Sequence, residues 1–252
     1  MSLKGWEETW LKLMLNPESH QELISQENPA LSEAERQALA SLPQDLLSEI
    51  AGAVQRGRIS VLYSSLPARL KAKLAPKLLR KWAQTYALAF PGAQVYPPEK
   101  GLDPWLAWIA AQAENQDQPW LQDLIAYERC LLKLKFYQAP WLATESPSLR
   151  LASSAGLLVA GPDFDLLLDS RVYPVEIYVS QPFTGWLIWK SAHQNHHLKL
   201  HWGLYLVLQM LDGLRACEAC LAELFHAYPE LRAESETLSA WLSWLQAQEL
   251  LI

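Results

Sequence analysis

The sequence predicts an α+β protein, with a helical N-terminal domain over residues 1–142 and a smaller α/β C-terminal domain over 143–252 that carries a β-hairpin and three helices. Three observations point there. Helix start signals recur through the first 140 residues. From about residue 145 the chain changes to short runs of leucine, valine, isoleucine and aromatics bounded by Gly161-Pro162 and Pro182, which is how strands are punctuated. Three helix-length segments then follow, separated by Asp212-Gly213 and Pro229.

The helical signals have plain physical causes. Asn16-Pro17 sets a capping side chain before a proline at the first helical position, where its missing N–H costs nothing. Ser32-Glu-Ala-Glu35 is a capping box, in which serine and glutamate each satisfy a backbone N–H at the helix start. Further helices are expected over 43–55, 67–90, 103–114 and 119–136. Pro76 should break or kink the second of these by removing a donor from its interior. In the last, Trp120, Leu124, Tyr127 and Leu131 recur at helical spacing along one stripe. Residues 91–100, with Pro97 and Pro98, read as a rigid loop.

In the second half, strands are expected over 156–160, 164–169 and 175–180. A hairpin is expected from 185–190 and 197–202, around the polar tip Ala192-His-Gln-Asn-His196. Helices are expected over 204–211, 215–228 and 234–250, with Gly213 supplying the left-handed closing conformation of the first. A hairpin followed by three short helices suits winged-helix-like or peptide-recognition-like packing.

Half of the 252 residues are apolar, enough to bury a core without disulfide staples. The three cysteines are too few for a disulfide framework and suit a reducing compartment, so a cytoplasmic location is expected. Neither a signal peptide nor a membrane-spanning run is legible. A formal charge of -6 disfavours generic nucleic-acid binding. Twelve tryptophans are a heavy load for core and interface alike.

No constellation forms a self-contained catalytic centre, so the chain is expected not to act as an enzyme on its own, and no catalytic residue, cofactor or metal is expected. His193, His196, His197 and His201 crowd the hairpin. Strand alternation separates His196 from His197 and leaves Lys199 between His197 and His201, a poor neighbour for a cation. Cys217-Glu-Ala-Cys220 has redox or zinc half-site spacing but lacks a second pair, and it falls inside an expected helix. Asp163, Asp165 and Asp169, with Glu128, Glu218 and Glu223 as conceivable partners, are forced together by no spacing. One basic stretch stands out: Arg69, Lys71, Lys73, Lys77, Arg80 and Lys81 alternate with leucines, with Arg56 and Arg58 upstream. That stripe fits a solvated helix face, an acidic protein or nucleic acid.

The helix Pro119-Trp-Leu-Gln-Asp-Leu-Ile-Ala-Tyr-Glu128 resembles one that closes the helical domain of a two-domain bacterial family classed as DNA-binding. Relatives of that family include the auxiliary subunit of the methanobactin biosynthesis complex. The matching residues are Pro119, Leu121, Asp123, Leu124 and Glu128. Ser170-Arg-Val-Tyr-Pro-Val-Glu-Ile-Tyr178, the hairpin segment Gly185-Trp-Leu-Ile-Trp189 and the closing segment 238–251 are similar to further parts of the family. The resemblance implies a subunit that pairs with a multinuclear iron oxygenase and presents a precursor peptide to it. Strand addition would capture the peptide, which needs a sheet edge with unpaired backbone groups. The residues expected to serve it are Val175, Ile177 and Val179 or the strand 185–190, with Trp186 or Trp189 as exposed anchors. The second expectation is a DNA-binding transcriptional regulator gripping through the basic stretch 56–81. No membrane partner is expected.

Overall fold

A computed structural model describes residues 32–41, 43–90, 98–115, 118–136, 148–168, 178, 182–191 and 194–252. The helix start at Asn16-Pro17, loop residues 91–97, Asp169, Val175, Ile177, Val179 and His193 lie outside them. The architecture is α+β, a helical N-terminal part and a smaller C-terminal part built on antiparallel sheets. Two compact units divide at Trp108 and Ile109.

In the first unit α1 spans Glu33–Ala40, directly after Ser32, and α2 spans Gln44–Ser65. The expected end of α2 at residue 55 is corrected by ten residues. Gly57 costs a helix interior about 1 kcal/mol, and burial of Leu62 beyond it outweighs that. Leu66 ends the helix in extended backbone, as a residue before proline must. The break at Pro76 is present: α3, Ala68–Lys73, and α4, Pro76–Ala89, flank an extended Ala75, with Pro76 opening the second helix. Helix α5, Pro98–Asn115, starts five residues before the expected Asp103 and runs through Pro104. Its Trp105 is fully buried, packs on Tyr86 and Trp108, and donates its indole N–H to the Leu62 carbonyl at 3.3 Å.

The second unit begins within α5 and continues with α6, Pro119–Phe136, where the spacing of its apolar residues placed it. Strand β1, Ser148–Arg150, precedes β2, Ala155–Ala160, and α7, Phe164–Leu168. The hairpin is β3, Thr184–Lys190, and β4, Asn195–Lys199. Helix α8, Trp202–Met210, β5, Asp212–Ala216, α9, Cys217–Ala227, a 3-10 turn over Pro229–Glu234 and α10, Ser235–Ala247, complete the order.

Two expected elements are corrected. Of the strand expected over 164–169, the described part, Phe164–Leu168, is helical rather than extended, because Phe164 and Leu167 are the buried pair at i and i+3. A short leucine run fits both periods, and contact with neighbours decides. Residues 212–216 form a strand rather than joining the helix expected from Arg215. Asp212 Oδ1 accepts the Leu214 and Arg215 N–H groups at 2.8 and 3.2 Å, Gly213 takes φ +77°, and the segment pairs with β1. Across β1 the segment Leu250–Ile252 also pairs, through reciprocal Arg150–Ile252 bonds.

The main sheet has the order β2-β3-β4, all antiparallel. Trp186, Leu187 and Ile188 of β3 are buried in succession, so both faces of that strand are covered. Trp186 meets Phe164 edge to face, and Phe164 meets Tyr127 of α6, which defines one layer. Leu187 joins Leu204, Val207, Leu208, Leu238 and Leu242 of α8 and α10 on the other. Gly185 allows α8 its close approach, since a Cβ there would lie 2.4 Å from the Tyr205 ring.

Candidate peptide-docking site

Strand order makes β4 an edge, and the hairpin register decides which of its backbone groups face outward. Ser191 N–H donates to Gln194 O at 2.9 Å and Leu200 N–H to Gly185 O at 2.8 Å. Alternation therefore points the backbone of His196 and Leu198 into β3, and that of Asn195 and Lys199 away from it. No described strand pairs with β4 on that outer side.

Beside this edge the helix α10 buries Leu238, Leu242 and Leu245, which turns Trp241 and Trp244 toward solvent with 37% and 39% of their surface exposed. The two rings meet edge to face at 5.6 Å. Together with Leu198, Thr237 and Ala240 they line an apolar groove of about 580 Å³. A further strand would lie about 4.8 Å beyond β4. Every second side chain of it would fall on the Leu198 face, over the two indoles.

The far end of the sheet is tied down by a buried polar cluster. Asp123 Oδ2 of α6 accepts the Gly161 N–H at 2.9 Å and the Tyr178 hydroxyl at 2.5 Å, while the Trp186 indole N–H donates to the Gly161 carbonyl at 3.2 Å. Lys199 of β4 donates to the next carbonyl, Pro162 O, at 2.9 Å. The turn after β2 is thus bound to helix, central strand and edge strand together. Burial pushes the Asp123 carboxyl above the usual carboxylate range, against the opposing bonds from Tyr178 and Gly161.

The expected anchors do not hold. Trp186 is buried, 2% exposed, and its strand is the centre of the sheet; the three-strand order corrects the expectation that 185–190 forms the edge. Trp189 is half-buried and stacked on His196 at 5.0 Å. The signal missed in the sequence was negative: Leu238, Leu242 and Leu245 at i, i+4 and i+7 claim the inward stripe of α10 and leave its tryptophans outside.

The remaining groups take other places. His196 also meets Ser191 Oγ at 3.0 Å, and His201 faces Glu234 at 3.2 Å. Among the described residues no group of three His, Cys, Asp or Glu side chains could hold a metal ion. Cys217 and Cys220 both lie in α9, as expected, Cys217 as its first residue directly after β5 and Cys220 buried. Burial and then Glu218 and Cys220 push the Cys217 thiol up, away from the reactive thiolate. In the basic stretch Lys77, Arg80 and Lys81 are exposed, Lys71 caps α2 through the Ser64 carbonyl at 3.1 Å, and Arg80 lies over Tyr63. Arg58 binds the Ala87 and Phe90 carbonyls at the end of α4. Among the described residues no helix is long and apolar enough to cross a membrane.

No protein-family model matches the chain, and no curated protein matches its sequence.

The Asp123 cluster makes a signed prediction about pH. A carboxyl whose folded pKa lies above its unfolded value binds its proton more tightly when folded, so its contribution to stability falls as pH rises from about the unfolded 3.8 through the folded value. Asp123→Asn keeps an acceptor for Tyr178 and Gly161 but removes the titration. Urea unfolding at pH 3.5 and pH 7 should show the variant gaining stability relative to the parent as pH rises. The opposite trend would mean that the two donors hold the carboxylate ionised.

Proposed function

We propose that this chain is a non-catalytic recognition subunit that captures an extended peptide by strand addition at β4 and presents it to a modifying enzyme. The observation that carries this reading is the juxtaposition of an outward-facing backbone edge, Asn195 and Lys199, with two exposed tryptophans on one apolar groove. Main-chain bonds supply affinity in such a mode, and pockets for alternate side chains supply selectivity. Tryptophan is the residue type most enriched where truncation costs most binding energy. The resemblance of 119–128 and 170–178 to a family that serves an iron oxygenase supports a precursor peptide as the ligand and an iron-dependent enzyme as the partner.

Selection of a displayed random-peptide library on the immobilised chain, followed by calorimetric titration of the enriched peptide, tests the reading. The peptide should carry large apolar residues at alternate positions and should lose about tenfold or more in affinity against Trp241→Ala/Trp244→Ala. N-methylation of alternate peptide amides should abolish binding. Enrichment of helical sequences, or affinity indifferent to both changes, contradicts strand addition.

A second reading, binding to nucleic acid, is favoured by one feature of the first unit. No Asp or Glu occurs between Glu49 and Glu99, while eight Lys and Arg do, and Lys77, Arg80 and Lys81 are exposed on α4. Such an acid-free stretch concentrates positive potential whatever the net charge. A mobility shift of duplex DNA that weakens steeply with salt and vanishes in Lys73→Glu/Lys77→Glu/Lys81→Glu supports it; no shift at low salt rejects it.

A further inference from the structure

At the corner where β5 passes into α9, two thiols share the first turn of the helix. Cys217 is the first residue of α9 and Cys220 the fourth, and Ala216 before them is extended, at φ -63° and ψ 141°. Helix geometry sets Cα atoms at i and i+3 about 5 Å apart, inside the range of about 4.4–6.8 Å that a disulfide spans. Their Cβ atoms, about 5–6 Å apart on a regular helix, must draw in to about 3.5–4.5 Å. A first turn allows this. Its N–H groups bond to no carbonyl of the helix, and tightening toward a 3-10 turn brings side chains at i and i+3 into line. The same pair in mid-helix would have to break the hydrogen-bond ladder to close.

The two thiols differ in their surroundings. Cys220 is buried, 1% exposed, in the core with Leu204, Leu208, Leu238 and Leu242, and its S–H donates to the Met210 carbonyl at 3.6 Å. That carbonyl has a second donor, Arg215 Nη2 at 3.1 Å, so the S–H leaves it without stranding a buried oxygen. Cys217 packs at the margin of the same core and is partly open to solvent. One accessible thiol beside one enclosed thiol is the arrangement of an attacking cysteine and its resolving partner. Cys130, the third cysteine, lies on α6 against Gly156 of β2 and shares no turn with either.

We propose that Cys217 and Cys220 form a redox-active dithiol that closes to an intramolecular disulfide by exchange with a small-molecule disulfide, RSSR. The Cys217 thiolate attacks one sulfur of RSSR, releases one thiolate and is left as a mixed disulfide. Cys220 then gives up its proton, attacks the Cys217 sulfur and releases the second thiolate. The protein loses two electrons and two protons, and one RSSR becomes two RSH. On closure Cys220 leaves the Met210 carbonyl, which keeps Arg215. Burial holds the Cys217 thiol above its ordinary range, so exchange is slow, on the order of minutes to hours. The pair is therefore a switch set by the prevailing balance of thiol and disulfide, not a thiol catalyst, and it does not depend on peptide capture at β4.

Incubation of the folded full chain with oxidised glutathione, then acid quench, alkylation under denaturing conditions and peptide mass mapping, tests this. The parent should lose two alkylatable thiols to a bridge between Cys217 and Cys220, keep Cys130 free, and regain all three with dithiothreitol. Cys220→Ser should stop at a mixed disulfide of Cys217 with glutathione. Cys217→Ser should leave Cys220 unreacted, because the core shields it, and this ordered contrast is one that indiscriminate oxidation does not give. Glutathione on Cys220 in that variant, a bridge to Cys130, no bridge in the folded parent, or a bridge that forms only in urea overturns the assignment.

Discussion

Three consecutive side chains of β3, Trp186, Leu187 and Ile188, are buried on alternate faces of one strand, and the second unit is arranged around that fact. Burying each of Leu187 and Ile188 contributes about 1.5–3 kcal/mol, and it does so only if both faces of the strand are covered. One face takes α6 and α7 through Trp186, Phe164 and Tyr127; the other takes α8 and α10. Among the described residues the sheet has three strands with helices over both faces, and its two borders carry the backbone groups that no described strand pairs. The tryptophan groove stands at one border, where α10 meets the sheet beside β4.

The polar cluster at Gly161 complements this apolar arrangement. A single residue has its N–H and its carbonyl both engaged, by Asp123 and Tyr178 on one side and by Trp186 on the other. On α6, Leu121, Asp123, Leu124 and Glu128 are all buried. These buried positions seat the helix on the sheet. The tryptophan groove beside β4 is formed elsewhere, by Leu198 and α10.

Much of the helical half was legible because its boundaries are set locally. Pro76 fixes its own local backbone and opens a new helix, and the apolar stripe of α6 needs no partner to be recognised. The strand and helix assignments that failed were decided by tertiary contacts. Residues 164–168 carry no period of their own, and Asp212-Gly213 could have ended a helix or opened a strand until β1 supplied the pairing. The docking surface was misread for the same reason. A tryptophan in a hairpin is an anchor if the strand is an edge and core if the strand is central, and the sequence does not state strand order. The basic stretch 56–81 was legible outright, since it requires no fold.

Native-state hydrogen exchange resolved at single amides tests the account most directly, because it reads both the central strand and its borders in one experiment. The account predicts that Leu187 and Ile188 exchange only with global unfolding, and that protection alternates along the borders, with Leu158 and Leu198 slow and Leu157, Val159, Asn195 and Lys199 fast. Border amides as slow as those of β3, with no alternation, would mean that both edges are already occupied and would contradict it.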